Sequence, residues 1–369
     1  MAKKTGKGRL ITLITVLALL AGAWGGYYIY DKYLSWRLFP KYRFQKGMCY
    51  VTWNKDRWGA PGSDESLKEM AKAGVKWVAF IPTWYQEGCG STRIFPTENT
   101  PTDESLAHAI KTAHRLGMKV MIKPHLDVLD MSGGNWRGEI ICEREPEWAE
   151  WFADYQAFIL HYAKIAQAKR VAIFCLGTEL KLVSIRKPDM WREYVIEPVR
   201  RIYKGPLTYA AHWDEEFERV KFWDALDYIG IDAYFPLAKK SGAPYEEIRK
   251  GWDEWIGAIE AVQAKYGKPV LFPEIGYCSA RGAAKKPWED LASGELDLQV
   301  QADCYRALFE RFWDKDWFYG AYWWRWGTDV RFGGPENKSY TPQGKPALDI
   351  MREWYSKPVP KKKFEKERQ

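Results

Sequence analysis

The sequence has little of what metal, redox and nucleotide-binding proteins need. Its six cysteines form no Cys-x-x-Cys pair, and only five of its 369 residues are histidines, so zinc and redox motifs have no support. No glycine-rich loop follows the first strand-like run, which disfavours a doubly wound nucleotide-binding sheet. His125 and His212 fall at strand ends, where hydrogen bonding to a substrate is a better interpretation than metal binding. We therefore expect neither a metal nor a cofactor.

An excess of positive charge is also missing from most of the chain, although the total net charge is +8. Residues 1–9 hold four basic residues and no acid, and residues 357–369 hold six basic and two acidic residues. The chain between these two segments is formally neutral. A nucleic-acid-binding domain would carry its basic excess on the folded surface. We therefore expect no nucleic-acid partner, and a neutral polysaccharide is the better electrostatic match.

The longest uncharged run lies at the N-terminus. Residues 10–30 contain no charge, and this length of 21 residues is enough to span a bilayer. The run follows the basic residues 1–9 and ends in aromatic residues, which is typical of an anchor whose N-terminus stays in the cytoplasm. Small residues at 21–23 fit a signal-peptidase site, so a cleaved signal is the alternative. Either interpretation predicts an extracytoplasmic catalytic domain, periplasmic or extracellular, and the anchor keeps it on the membrane.

Export would place the cysteines where disulfides persist. Cys89 and Cys142 fall in loops that would follow the second and third strands at one rim. A Cys89–Cys142 disulfide is therefore a candidate. Cys49, Cys175 and Cys278 lie in or beside apolar runs and are interpreted as buried thiols.

Strand-like and helical patterns alternate regularly over residues 46–357. The eight strand-like runs are 47–53, 75–84, 119–128, 171–179, 207–213, 227–235, 269–275 and 318–326. The helical patterns that follow them are 64–73, 103–116, 146–168, 186–203, 216–225, 245–266, 297–314 and 346–356. Eight strands, each followed by a helix, predict an α/β fold of the (β/α)8 TIM barrel type. A transmembrane helix at 10–30 and a linker at 31–45 would precede the barrel, and a basic disordered tail at 358–369 would follow it.

Two glutamates that end apolar strand-like runs are the strongest functional signal. Glu179 ends the run from Val171, and Glu274 ends the run from Val270. In period-2 phase each shares a strand face with residue types that fill barrel interiors. Parallel barrel strands end at one rim, so both carboxylates should reach one site. Two carboxyl groups about 5–5.5 Å apart are what a retaining glycoside hydrolase requires. For either glutamate alone, a surface residue or a helix-cap partner is the simpler alternative.

Aromatic and hydrogen-bonding residues recur at the strand ends, and a sugar site needs both stacking faces and hydroxyl partners. The predicted substrate-binding residues are Trp53, Trp84, His125, Asp127, His212, Trp213, Asp232, Tyr234, Trp324 and Trp326. Tyr234 is a candidate hydrogen-bond donor to Glu274. Trp326, with Trp324 as the alternative, is a candidate floor for the subsite of the cleaved sugar. Many of the 21 tryptophans fall in helical patterns and more simply pack on the barrel wall.

Four segments, in this order, resemble glycoside hydrolase family 113. They are Leu176-Gly-Thr-Glu-Leu180, Phe272-Pro-Glu-Ile-Gly-Tyr277, Trp323-Trp-Arg-Trp-Gly327 and Tyr340-Thr-Pro-Gln-Gly-Lys-Pro-Ala347. That family consists of β-mannanases from a large clan of retaining (β/α)8 glycosidases, and the resemblance covers residues 46–357. It implies that Glu179 is the acid/base at strand four and Glu274 the nucleophile at strand seven, acting on β-1,4-mannan or manno-oligosaccharides. Most of the clan has Asn before the acid/base, where this chain has Thr178.

Two alternatives stay open. A retaining β-glycosidase of another specificity, such as β-glucan, fits the same residues, because no residue that distinguishes gluco- from manno-configured sugars can be recognised in the sequence. An inactive, membrane-tethered carbohydrate-binding barrel would keep the fold without the chemistry. The presence of both Glu179 and Glu274 counts against this second alternative.

Overall fold

The computed structural model describes residue 22, residues 43–290 and residues 294–365. The predicted membrane segment at 10–30, apart from Gly22, and most of the predicted linker at 31–45 lie outside the described residues. Within the described part of the chain, no helix is both long and apolar enough to cross a membrane. The barrel lies in the unit that comprises residues 44–369.

Eight parallel strands close into a barrel, as the alternating pattern predicts. The strands are β1 (Gln45–Val51), β2 (Trp77–Ile81), β3 (Lys119–Ile122), β4 (Ile173–Thr178), β5 (Leu207–His212), β6 (Ile229–Asp232), β7 (Val270–Ile275) and β8 (Phe318–Trp326). Neighbours in this order pair with each other, and β1 pairs with β8 to close the ring. The strands are almost entirely buried, because both faces of a parallel sheet are covered in such folds.

Two of the predicted strands are interrupted by proline. The runs 75–84 and 119–128 each divide into a barrel strand and a second short strand. The short strands, Thr83–Gln86 and His125–Val128, pair in parallel with each other outside the barrel. Pro82 and Pro124 lie at the two interruptions, because proline has no N–H to donate to a strand ladder. The extra sheet extends the rim at which β2 and β3 end.

Helices follow the strands. They are α1 (Pro61–Lys72), α2 (Asp103–Arg115), α3 (Glu145–Ala168), α4 (Lys181–Arg186), α5 (Pro188–Met190), α6 (Glu197–Ile202), α7 (Glu216–Arg219), α8 (Tyr245–Tyr266), α9 (Leu298–Phe312) and α10 (Pro346–Ser356). The predicted helix at 186–203 begins earlier, at Lys181, and includes a π-helical segment, Trp191–Ile196. The predicted helix at 216–225 is reduced to α7 and one 3-10 turn. The predicted start of α2 is confirmed, because the Thr102 side chain accepts the backbone N–H of Ser105 as an N-cap.

Many tryptophans of the helical patterns pack on the barrel wall, as predicted. Trp151 and Trp252 have no exposed surface. The Trp151 ring stacks on Tyr155 at a centroid distance of 4.8 Å, and Trp252 lies 6.2 Å from Phe272 of β7 in a stacked arrangement. Most of the high aromatic content therefore serves packing between helices and strands.

The C-terminal segment differs from the predicted disordered tail at 358–369. Lys362 is buried, and its ammonium donates to the carbonyl oxygens of Trp313 at 2.6 Å and Lys315 at 2.8 Å. The backbone N–H of Phe364 donates to the Tyr319 hydroxyl at 2.9 Å. A buried cation with carbonyl partners fixes the chain in place, so the segment is packed on the barrel as far as residue 364.

The predicted Cys89–Cys142 disulfide is not formed, because both cysteines are free. The two loops do meet, since the backbone N–H of Ile141 donates to the Cys89 carbonyl at 3.1 Å. The Cys89 thiol, however, points to the carbonyl oxygen of Trp136 at 3.6 Å. A disulfide needs Cβ atoms that face each other, and adjacent backbones alone do not provide this geometry.

Candidate active site

A cleft of about 840 Å³ opens at the rim where the barrel strands end. Glu179 and Glu274 both line it. Glu179 directly follows β4 and Glu274 lies near the end of β7, so both are at the same rim. Six predicted binding residues line it as well: Trp53, His125, His212, Trp213, Tyr234 and Trp324. Aromatic faces with a few convergent polar groups are the usual lining of a small-molecule site.

Glu274, near the end of β7, is buried and has a hydrogen-bond donor on each carboxylate oxygen. The Tyr234 hydroxyl donates to Oε1 at 2.5 Å, which confirms the predicted contact, and the Lys123 ammonium donates to Oε2 at 2.6 Å. Burial, followed by the charge of Glu274, raises the pKa of Tyr234 well above its ordinary value, so the phenol keeps its proton as a donor. The carboxylate is therefore fixed in orientation from two sides.

His125 lies beside this carboxylate without forming an ion pair. Its Nε2 is 3.8 Å from Oε2 of Glu274 and has no hydrogen-bond partner within the described residues. Burial, with smaller effects from Arg137 and Lys123, lowers the pKa of His125 well below its ordinary value. The imidazole is therefore neutral near neutral pH, and its Nε2 is buried beside the Glu274 carboxylate.

Lys123, which follows β3, was not among the predicted site residues. Its side chain is completely buried, and its ammonium also donates to Oδ2 of Asp232 at 2.8 Å. Although burial acts to lower it, the two neighbouring carboxylates raise the pKa of Lys123 above its ordinary value. Burial raises the pKa of Asp232 well above its ordinary value, against the opposing effect of Lys123. Asp232, predicted to bind substrate, instead lies fully buried against Lys123 and does not line the cleft.

Glu179, which follows β4, has a left-handed backbone conformation with a φ of 51°, which is uncommon for residues other than glycine. Its backbone N–H donates to the Ala210 carbonyl at 2.8 Å. Its carboxylate lies 3.5 Å from Nη1 of Arg137 and 4.0 Å from Nε2 of His212. The preceding Thr178 is buried, and its hydroxyl has no hydrogen-bond partner among the described residues.

Arg137 connects Glu179 to a second predicted residue, Asp127. The guanidinium donates to Oδ1 of Asp127 through Nε at 2.9 Å and Nη2 at 2.6 Å. Asp127 was predicted to bind substrate, but it does not line the cleft. Its carboxylate instead accepts both hydrogen bonds from Arg137. Arg137 comes from a loop without hydrophobic periodicity, and the sequence carries no signal that would have placed it in the site.

Trp84 and Trp326 are wall residues, which corrects their predicted role. The Trp84 indole N–H donates to the Tyr162 hydroxyl at 2.9 Å. Trp326 is buried and donates to the Ser66 hydroxyl at 3.0 Å. Trp324, in contrast, lines the cleft and lies parallel to His125, with 7° between the ring planes and 6.3 Å between the centroids.

The difference between Trp324 and Trp326 has a cause in the strand itself. Met48 and Tyr50 of β1 are two residues apart, but their partners on β8, Trp323 and Trp326, are three residues apart. An extra residue on one strand is a bulge, and it shifts the phase of the residues that follow. A strict period-2 alternation, under which positions 324 and 326 would share one face, therefore does not hold across this point.

Several lining residues were not predicted, and all of them except Arg325 of β8 come from segments between the strands and α-helices. They are Trp136, Arg137, Asp214, Trp288, Asp290, Arg325, Ser339 and Tyr340. Trp288 stacks on Trp213, with 5.1 Å between the ring centroids and 21° between the planes. The Arg325 guanidinium lies 4.8 Å from the ring centroid of Trp53. Trp53 and the pair Trp213 and Trp288 thus extend the aromatic lining of the cleft beyond the two glutamates.

Comparison with known proteins identifies the family. The model of Glycoside Hydrolase Family 113 matches residues 48–345. The chain belongs to glycoside hydrolase family 113. A family 113 β-1,4-mannanase solved as a complex is 31% identical with a TM-score of 0.75, and the match covers 85% of this chain and 99% of that chain. This confirms the predicted resemblance and shows that the protein is a glycoside hydrolase.

Other similar structures agree with the assignment of family 113. The family's β-mannanase AaManA from Alicyclobacillus acidocaldarius, in complex with ManMIm, is 30% identical with a TM-score of 0.76, and the match covers 85% of this chain and 97% of that chain. A family 5 mannosidase from Rhizomucor miehei shares the fold at 11% identity and a TM-score of 0.57. The comparison with curated proteins found no match.

The buried cluster of Lys123, Asp232 and Glu274 leads to a stability prediction. Lys123→Met should lower the free energy of unfolding by about 3–5 kcal/mol, because removal of one partner leaves the carboxyls buried without their cation. Asp232→Asn is the matched control, and its loss should be smaller because Lys123 stays paired with Glu274. Denaturant unfolding of the full-length variants measures both values. A Lys123→Met protein as stable as the wild type would contradict the described cluster.

Proposed function

We propose that this family 113 protein is a retaining glycoside hydrolase that cleaves β-1,4-mannan or manno-oligosaccharides with two glutamates. The observation that carries the proposal is that Glu179 and Glu274 line one cleft in contrasting surroundings. Glu274 is fixed by donors on both oxygens. Glu179 has only the longer contacts to Arg137 and His212. Retaining glycosidases divide the nucleophile and acid/base roles between two such carboxylates.

Glu274 suits the role of nucleophile. The charged Lys123 and the Tyr234 hydroxyl stabilise its carboxylate and hold it in one orientation. In the first step an oxygen of Glu274 forms a bond to the anomeric carbon while the glycosidic bond breaks. The carboxylate's negative charge is lost as this covalent intermediate forms.

Glu179 suits the role of general acid and base. In the first step its carboxyl group gives a proton to the departing glycosidic oxygen. In the second step the resulting carboxylate takes a proton from water, which attacks the anomeric carbon and releases Glu274. The contacts of the Glu179 carboxylate with Arg137 and His212 are long, at 3.5 and 4.0 Å. Its oxygens therefore remain accessible to the leaving group and then to water.

The lining of the cleft supports a neutral sugar chain as substrate. Trp324 and His125 both line the cleft, and Trp324 offers a ring face against which a sugar can pack. Trp53 on one side and the stacked Trp213 and Trp288 on the other can carry further sugar rings. The similar structures named as β-1,4-mannanases favour mannan over other β-linked chains.

The roles of the two glutamates can be tested by amide substitution. Glu179→Gln and Glu274→Gln should each lower turnover of manno-oligosaccharides by a factor of at least about 10². Both should still unfold cooperatively, and Glu274→Gln should be less stable than the wild type because the buried Lys123 loses a charged partner. Glu143→Gln, an exposed surface change, is the matched control and should keep full activity. Proton NMR of the wild-type reaction should show the β-anomer as the first product. Initial α-anomer, or full activity in either active-site variant, would overturn the mechanism.

The substrate is tested by parallel assays of the full-length protein. We expect the highest kcat/KM on mannan, a lower value on glucomannan and the lowest on β-glucan. Strong activity on β-glucan with none on mannan would replace the proposed specificity with the alternative. Retention on insoluble mannan without release of reducing sugar would instead indicate an inactive binding barrel.

We also propose that the protein is a membrane-anchored enzyme with its barrel outside the cytoplasm. The uncharged run at 10–30 behind the basic residues 1–9 supports this proposal. The native protein should stay in the membrane fraction after a carbonate wash, and its N-terminus should be intact. Release by carbonate, or a mature chain that begins at Trp24, would indicate a cleaved signal instead.

A further inference from the structure

A second buried glutamate lies behind the cleft wall and has no step in the proposed mechanism. Glu216, the first residue of α7, has no exposed surface and does not line the cleft. Its Oε1 accepts hydrogen bonds from the hydroxyls of Ser184 and Tyr209, each at 2.6 Å, and its Oε2 accepts the backbone N–H of His212 at 2.6 Å. These three short hydrogen bonds fix the orientation of the Glu216 carboxylate.

All three donors belong to segments that surround Glu179. Ser184 is on α4, which begins two residues after Glu179. The Tyr209 hydroxyl also accepts the backbone N–H of Leu180, the residue after Glu179, at 2.9 Å. His212 has its Nε2 at 4.0 Å from Oε1 of Glu179. Glu216 therefore connects the chain after β4 to the end of β5.

The backbone of Glu179 needs such support. Its φ of 51° is sterically disfavoured for a residue with a Cβ, and such conformations persist only where the surrounding structure enforces them. Two backbone hydrogen bonds hold the segment: Glu179 N–H to the Ala210 carbonyl at 2.8 Å, and Leu180 N–H to the Tyr209 hydroxyl at 2.9 Å. The second bond depends on which way the Tyr209 hydroxyl points.

The partners of the Tyr209 oxygen decide that orientation. Because the Leu180 N–H donates to this oxygen, the one hydroxyl proton is directed to Oε1 of Glu216, which accepts it. The lone pairs of the Tyr209 oxygen are then left for Leu180 N–H. We propose that Glu216 is a positioning residue that holds the acid/base Glu179 in its reactive orientation through Tyr209 and Leu180. This inference rests on the proposed role of Glu179.

Stability alone does not explain a carboxylate at this position. Burial raises the pKa of Glu216 to about 7, against the lowering effects of Ser184, Tyr209 and His212. The titratable groups that act on it are Tyr209 of β5 and Glu179, whose charge raises the pKa further, while His212 acts through its backbone N–H. Because the folded pKa lies above the unfolded one, this group's contribution to stability is present in acid and is lost as the pH rises through about 7. Above about pH 7 the ionised carboxylate therefore adds no net pH-dependent stability to the fold.

The test compares two substrates that differ in their need for an acid. A manno-oligosaccharide needs a proton on its leaving oxygen, whereas a dinitrophenyl β-mannoside has a leaving group that departs without one. In Glu216→Gln and Tyr209→Phe, kcat/KM on the oligosaccharide should fall on the order of 10²-fold, because a misplaced catalytic group costs about this much. On the dinitrophenyl mannoside, kcat/KM should be little changed.

Tyr203→Phe is the matched control for the hydroxyl deletion. Tyr203 is equally buried, and its hydroxyl donates to the Val171 carbonyl at 2.7 Å, before the start of β4 and away from the cleft. Its kcat/KM on both substrates should equal that of the wild type. Thermal unfolding of Glu216→Gln should be cooperative, which shows that the assayed variant is folded.

The other outcomes separate a failure of the positioning role of Glu216 from a failure of the proposed glycosidase function. Equal losses on both substrates, or an unchanged kcat/KM on the oligosaccharide in folded Glu216→Gln, would overturn the positioning role. Cleavage of neither substrate by the wild type would overturn the proposed function instead. If Glu216→Gln does not fold, Tyr209→Phe carries the same comparison, since it removes only one oxygen atom.

Discussion

The active site depends on one buried ammonium group, that of Lys123. It has no exposed surface and contacts Glu274 at 2.6 Å and Asp232 at 2.8 Å. A charge removed from water in this way is tolerated only when carboxylates compensate it with good geometry. Since the three residues come from the ends of β3, β6 and β7, the barrel must close in the correct register before the cluster can form. The same closure brings Glu274 into the cleft with its orientation already fixed.

The two glutamates of the cleft are held by different means. Glu274 is fixed through its side chain, by Lys123 and Tyr234, which fits its proposed role as the nucleophile. Glu179 is fixed through its backbone, by a left-handed conformation with hydrogen bonds to β5, and its carboxylate has only weaker neighbours. A group that exchanges protons with two different partners needs this freedom at its oxygens. The fold thus provides one rigid and one accessible carboxylate at the same rim.

Much of this arrangement could be predicted from the sequence. The eight strands were recognisable because parallel strands covered on both faces are apolar runs, and the glutamates stood out because they end such runs. The breaks at Pro82 and Pro124 were also visible in principle, because proline cannot donate to a ladder. The bulge that separates Trp324 from Trp326 was not, since it follows from the register of β8 against β1. The sequence pattern of a single strand does not show how that strand pairs with its neighbour.

Lys123 and Glu216 could not be predicted for a related reason. A lysine after a short strand usually ends in solvent, and Lys123 is buried only because its partners, 109 and 151 residues away in the chain, meet it in the barrel. Glu216 begins a helix, where an acidic residue ordinarily serves the helix dipole. Their roles depend on contacts between distant segments, which local periodicity and composition do not encode.

The nucleophilic role proposed for Glu274 can be tested by trapping the covalent glycosyl-enzyme. The full-length enzyme would be incubated with a fluorinated mannoside that has a good leaving group, and then digested and analysed by mass spectrometry. We expect one added fluoroglycosyl group on the peptide that contains Glu274, located at that residue, with Glu179 unmodified. A label on any other residue, or inactivated enzyme without a label, would contradict it.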